Sequence, residues 1–251
     1  MAQWRDLNIE LDAWSDCGRT ASLWWRDDDA CEATPALEKL LSISDLTGTP
    51  IALAVIPEGS GAGLRQRLAG QKHISVLQHG FAHVNHAPVG HKKAEFGPHR
   101  TIEIMESDLA GGKDLLSDFE YTFPAFVPPW NNIDESLLAR LSGIGLKAVS
   151  TYLPRNSSEP VPGLRRTNAH VDIINWRGNR GFIGDESALE MITGHLRSRR
   201  IGGVDPEEPT GLLTHHLVHD EACWRFIEDL LQNTISHDAV RWIGAEEAFL
   251  Q

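Results

Sequence analysis

The sequence predicts an α/β fold, a (β/α) barrel with about seven parallel strands, on three observations. Short apolar runs alternate with helical patterns along the chain, which implies parallel βαβ units with right-handed crossovers. Three of those runs end in side chains that bind metals or move protons. Leu23-Trp24-Trp25 leads to Asp27-Asp28-Asp29, Ile74 to Leu77 leads to His79 and His83, and Gly211-Leu212-Leu213 leads to Thr214-His215-His216. Such clusters at strand ends on one rim are how barrel active sites are built. Finally, no Gly-x-Gly-x-x-Gly or Gly-x4-Gly-Lys-Ser/Thr follows a strand, which removes the main nucleotide-binding sheets.

Taken in order, Ser22 to Arg26 forms the first strand. Thr34-Pro35 opens a helix running to Leu46, with Leu37, Leu40, Leu41 and Ile43 on one face. Ile51 to Ile56 is a continuously apolar strand stopped by Pro57, and a short helix follows near Leu64 to Leu68. Ile74 to Leu77 is the third strand. Periodicity then lapses from Ala87 to Pro98, a loop long enough to serve as a lid or binding loop. A helix runs from Thr101 to about Phe119, and Ala125 to Val127 is a strand ending in Pro128-Pro129-Trp130-Asn131. A helix from Asp134 to Leu141 capped by Gly143 comes next. Strands at Leu146–Tyr152, Ala169–Ile174, Gly211–Leu213 and Val240–Ile243, with helices at Ser187–Arg199 and Glu221–Gln232, complete the alternation.

No Pro/Ser-rich or charged linker divides the 251 residues, so residues 1–251 are read as one catalytic domain. Thirty-five acidic residues against 23 basic ones give a net charge of −12, which argues against a nucleic-acid or anionic membrane partner. The same charge would repel an anionic ligand, so a neutral or weakly charged substrate is expected. The opening Met-Ala-Gln-Trp-Arg-Asp-Leu-Asn has neither the basic nor the apolar segment of a secretory signal, and no 18 apolar residues run together; a cytoplasmic location is expected. Three widely spaced cysteines, Cys17, Cys31 and Cys223, suggest packing rather than disulfides or a zinc knuckle.

Spacing alone does not make His79 and His83 ligands. Twelve histidines produce about half an i,i+4 pair by chance, and His215/His219 is a second such pair. Three aspartates in a row are commonly a solvated turn or a helix cap. What raises both above that background is their position at separate strand ends. His86, His91, His99 and His219 are read as solvent-facing, and Trp24 and Trp25 as pointing to opposite sides of a strand.

An acidic cluster after strand one, His-x3-His after a later strand, Pro-Pro-aromatic after the next and Leu-x-His near the C-terminus resemble, in that order, the polysaccharide deacetylase family with the NodB-homology domain. The resemblance spans Trp24 to about His216. It implies a deformed (β/α) barrel and one divalent metal ion, with zinc expected, used to hydrolyse N-acetyl groups from amino sugars. By the same resemblance Asp28 is the general base and Asp29 the metal ligand, with Asp27/Asp28 as the alternative register. His79 and His83 are the other two ligands and His215, or His216 if the strand ends one residue later, the general acid. Pro129 and Trp130 belong to the substrate groove, and Asp172 with Trp176 resembles the Asp/Trp pair that supports the base. Where many members have Arg before Pro-Pro this chain has Val127, so the tether on the base falls to another residue, Arg26 or Arg177.

These residue types suit the chemistry. One carboxylate and two neutral imidazoles leave open positions on an ion, as a catalytic site requires. A neighbouring carboxylate can take a proton from water, and a histidine can give one to a leaving amine. The predicted function is removal of an N-acyl group from a small carbohydrate or N-acyl amino sugar. The alternatives are an amidohydrolase on a non-sugar C–N bond, as in the allantoinase branch, and a non-catalytic carbohydrate-binding barrel.

Overall fold

The computed structural model describes residues 2–250. In chain order the elements are α1 Trp4–Asp16, β1 Ala21–Ala30, α2 Pro35–Thr47, β2 Ile51–Val55, α3 Ala62–Leu68, β3 Ile74–His79, α4 Ile102–Leu116, β4 Thr122–Val127, α5 Leu138–Ile144, β5 Ala148–Val149, β6 Arg165–Arg166, β7 Val171–Asp172, α6 Asp185–Ile201, β8 Thr210–Thr214, α7 Glu221–Thr234, β9 Val240–Ile243 and α8 Ala245–Leu250. β1 is the hub. It pairs with β8 along one side, and on its other side with β9 through Trp24 and with β2 from Trp25 onward. The order β6-β5-β4-β3-β2-β1-β8-β7 is parallel throughout, and the end strands β6 and β7 do not pair with each other. An isolated bridge between Tyr152 and Ala169 continues the β5–β6 register, and two residues later the same stretch pairs with β8 as β7, so residues 165–172 join the two ends into a curled, deformed barrel.

Nine strands stand against about seven expected; the eight runs named from the sequence all recur, and the addition is β6, Arg165–Arg166, two polar residues that carry no apolar run. The expected strands at 146–152 and 169–174 shrink to the short ladders β5 and β7 where the curl interrupts pairing. α1, which the strand–helix alternation does not anticipate, buries Leu7, Leu11 and Trp14 on one face. The helix expected over 134–141 is a tight turn at Glu135–Leu137 followed by α5, which ends at left-handed Gly145 (φ 91°) rather than at Gly143. Starts follow local chemistry. Thr34 Oγ1 accepts from the Leu37 amide at 3.1 Å ahead of α2, and Asp220 accepts from the Cys223 amide at 2.8 Å ahead of α7.

The two sheet faces bury different things. Trp25, Leu53, Val76 and Leu212 face outward into the large apolar layer shared with α1, α2, α6 and α7. Trp24, Ala52, Ala54, Leu77 and Ala125 face inward, where Phe249 of α8 packs edge-on against Trp24 at 5.7 Å and plugs the N-terminal end of the barrel. The small inward alanines leave room for two large residues of β1, Trp24 and Arg26.

Candidate active site

Alternation along β1 assigns each polar side chain to a face. Trp25 and Asp27 point outward, Trp24, Arg26 and Asp28 inward. The ladder with β2 then slips between Asp27 and Ala30, and Asp29 takes a left-handed conformation (φ 74°). That break of alternation lets Asp29 join Asp28 on the inner rim, so three consecutive aspartates have three separate surroundings.

Asp29 meets the histidine pair. Its Oδ1 lies 3.0 Å from His79 Nε2 and 3.3 Å from His83 Nε2, and one ligand atom from each residue falls within 4.8 Å of the others. Two ligands about 2.05 Å from a shared ion at tetrahedral angles sit about 3.3 Å apart, so the donor set fits a zinc-sized dication. His79 Nδ1 lies 3.0 Å from the Val127 carbonyl, which fixes the ring with Nε2 toward Asp29. Burial opposes the Asp29 charge, but the His79 hydrogen bond and the charges of His79, His215 and His83 hold its carboxyl well below the usual range. Burial also opposes protonation of His79, and the Asp29 hydrogen bond with the charges of Asp28 and Asp29 outweighs it, so its pKa is raised. At His83 burial prevails, reinforced by His79, and the pKa is lowered. Between the two histidines, Gly80 has φ 65°, and a Cβ there would overlap the Glu95 carboxylate and the Pro129 ring.

Asp28 is held by Arg26 from two residues earlier on the same inner face. Nη2 donates to Oδ2 at 3.0 Å while Nε lies 2.9 Å from Oδ1. The guanidinium is itself fully buried and fixed by Ser150 Oγ at 2.7 Å, the Thr151 carbonyl at 3.0 Å and Asn131 Oδ1 at 2.7 Å. Arg26 thus supplies the tether that Val127 cannot, and Arg177 stands instead at the mouth of the cavity.

The Thr214-His215-His216 cluster divides by face. His215 lines the same cavity as Asp28 and Asp29, with its ring edge-on to Trp176 at 4.7 Å. His216 turns away, and its Nδ1 lies 2.5 Å from Asp27 Oδ1 in a fully enclosed pair that Thr214 Oγ1 completes at 2.6 Å. Burial opposes ionisation of both, yet their mutual attraction lowers the Asp27 pKa and raises that of His216. His219 does not face solvent as expected. It is partly buried, its Nε2 accepts from the His215 amide at 3.3 Å, and burial pushes its pKa down to about 4. Beside His215, Asp172 accepts from Trp176 Nε1 at 2.7 Å and from the Ile174 amide at 3.0 Å. Burial raises its pKa against those bonds.

The cavity these residues line has a volume of about 610 Å³. Trp130 lies on its wall, 4.4 Å from the His83 ring, whereas Pro129, expected in the groove, is buried outside the lining with its ring against Gly80. Asp29, His83, Trp130, Asn131, Leu153 and Arg180 all line it, and they are six of the seven non-glycine residues with positive φ among those described, Tyr121 being the seventh. Such conformations cost on the order of 1–3 kcal/mol each and persist where packing and hydrogen bonds over-determine them. The loop expected as a lid is stapled at its base. Glu95 accepts from the Phe81 and Ala82 amides at 3.1 and 2.7 Å, Ala94 and Phe96 are buried, and Asn85 Oδ1 takes the Ala87 and Ala94 amides. Of this loop only Lys92 and Lys93 line the cavity, a pair of cations the net charge hides.

A second cluster, His170, His195 and Glu208, is buried behind the sheet with ligand atoms within 4.8 Å of one another. Its imidazoles are stacked 3.5 Å apart and 20° from parallel. An ion must lie in both ring planes, and planes so nearly parallel do not meet at bonding distance, so this cluster is a polar core rather than a metal centre.

Neither a family model nor a curated protein matches this sequence. Solved structures do match in fold. A Mycobacterium smegmatis protein designated a polysaccharide deacetylase aligns over 93% of this chain and 90% of its own at 15% identity and a TM-score of 0.60. A peptidoglycan N-acetylglucosamine deacetylase aligns over 96% and 97% at 13% identity and 0.59. A family 4 acetyl xylan esterase from Clostridium thermocellum, in complex with a cobalt ion, aligns over 91% and 90% at 12% identity and 0.54.

Proposed function

We propose that this chain, which has the polysaccharide deacetylase fold, is a metal-dependent hydrolase that removes an N-acetyl group from an amino sugar or sugar-like substrate. One observation carries the reading. A carboxylate held by a buried arginine, a carboxylate–imidazole–imidazole triad and a separate histidine line a single cavity of about 610 Å³. A dication between Asp29, His79 and His83, with zinc suiting the donor set, would lower the pKa of water and polarise the acyl oxygen. Asp28 is the base that takes the proton from the attacking water, and Arg26 aims its carboxylate. The water oxygen bonds to the acyl carbon, the C–N bond breaks, and His215 gives the departing nitrogen its proton, yielding acetate and a free amine. Asp172 and Trp176 support the His215 ring from the opposite wall, and Trp130 forms an apolar side of the cavity.

The test is acetate release from N-acetylated mono- and oligosaccharides by the zinc-loaded protein, with a chelated sample as control. Turnover lost on chelation and regained with metal supports the reading. A loaded protein that binds sugars without releasing acetate would favour a carbohydrate-binding barrel, and release of an amine from non-sugar amides alone would favour the amidohydrolase.

A further inference from the structure

The mouth of the cavity is basic although the chain is acidic. Lys92 and Lys93 stand on one side, Arg177 and Arg180 on the other, all four exposed and none in an ion pair among the described residues. Each pair flanks an aromatic wall. Lys93 Nζ lies 5.7 Å from the Trp130 ring and Arg180 Cζ 5.4 Å from the Trp176 ring, contacts that hold the cationic heads at the opening. The acids of the lining do not offset them. Asp28 is matched by Arg26, which leaves Asp29, against two imidazoles, and Asp172, bonded to Trp176 and the Ile174 amide, to face four cations. Four cations around one concave opening outnumber the two unmatched carboxylates and focus a positive potential there, whatever the net charge of −12 does at long range.

We propose that the substrate bears an anionic group, a carboxylate or a phosphate, on the part that remains at the mouth while its N-acyl group sits over the triad. The proposal rests on the deacylation reading for the reaction and on the rim alone for recognition. It reverses the expectation of a neutral substrate drawn from net charge. Arginine forks at 177 and 180 can take two anion oxygens at once, and the lysines at 92 and 93 add point charges opposite.

The experiment compares N-acetylglucosamine, N-acetylglucosamine 6-phosphate and N-acetylmuramic acid as substrates for the zinc-loaded protein. The expected result is a kcat/KM at least tenfold higher for one anionic sugar than for the neutral one, carried by KM. That preference should shrink as salt rises from about 10 mM to about 0.5 M, as the screening length contracts severalfold. The phosphate and carboxylate arms tell which anion is preferred. In K92E/K93E and in R177E/R180E the ratio of anionic to neutral kcat/KM should fall at least tenfold. A neutral sugar that equals or outruns both anionic ones, or a ratio untouched in both reversed variants, overturns the proposal. Should no sugar release acetate, the deacylation reading fails by itself, and calorimetric titration of the same three sugars decides recognition. Tighter anion binding that is lost on charge reversal upholds the basic rim as a binding site, and equal binding overturns it.

Discussion

Arg26 reaches Asp28 across a single intervening residue, its Nε 2.9 Å from one carboxylate oxygen and its Nη2 3.0 Å from the other, with Arg26 fully buried and Asp28 buried at the cavity wall. Breaking a buried pair by removing one partner commonly costs about 3–5 kcal/mol, because the remaining charge is stranded. Arg26→Ala should lose stability on that scale in urea unfolding. Arg26→Lys keeps the charge but not the fork, and should lower kcat by about 10²-fold, as small misplacements of a reacting group do. Asp28→Asn should abolish kcat while the bound metal, counted by elemental analysis, stays at one per chain.

Gly80 lies between the two candidate histidine ligands, with φ 65° and no space for a Cβ. Gly80→Ala must shift Glu95 or Pro129, and His83 with them. Metal affinity should drop by at least tenfold in a chelator competition, with His79 still in place. Retained affinity with a lowered Tm would mean that the turn relaxes away from the triad.

The division between His215 and His216 gives opposite phenotypes. His215→Ala should reduce kcat by roughly 10²–10⁴-fold, the usual worth of a positioned acid, with little change in stability. His216→Ala leaves Asp27 charged and enclosed and should destabilise the fold by about 3–5 kcal/mol. Denaturant titrations beside initial rates check both.

The stacked pair His170 and His195 predicts an acid-sensitive fold. Burial, then the Arg199 and Arg155 charges, pushes His170 down to about 3, while burial, then His170 and Arg199, pushes His195 down to about 2. Both therefore stay neutral in the folded chain while the unfolded chain takes up protons below its ordinary pKa of ~6.5. Stability is fully present above that pH and falls as pH drops through the window, by at most about 1.4 kcal/mol per unit for each group. Between pH 6.5 and 5, His195→Gln should reduce the loss seen in the wild type by about 1.6 kcal/mol. An identical pH slope in the two proteins would show that His195 already titrates in the folded state.

The barrel and its rim were legible because strand ends punctuate the sequence. Apolar runs stop at the aspartate triplet, at His79 and at His215, and each stop delivers cavity residues, Asp28 and Asp29 from the first and the two histidines from the others. The assignment of Asp29 beside the histidines follows the resemblance, but its cause, a slip in the β1–β2 ladder with a left-handed residue, leaves no pattern in sequence. Arg26 was one of two candidates for the tether, and only the burial of its guanidinium among Ser150, Thr151 and Asn131 separates it from Arg177. The stapling of the loop by Glu95 and the gathering of four cations at the mouth depend on residues far apart in the chain, so composition gave the opposite sign for the mouth.

Asp27, Asp28 and Asp29 are chemically the same residue, yet none can stand in for another. One is locked to His216 outside the sheet, one to Arg26 inside it, and one has turned to the histidines at the ladder's slip. Losing one aspartate would alter composition by less than half a percent of the chain. The cost at the site would be far larger, since Ala30 would move up to the place where Asp29 turns to the histidines and the triad would lose its carboxylate. In-frame loss at this triplet should behave as a null allele, and surviving sequence variation should consist of substitutions there rather than of changes in length.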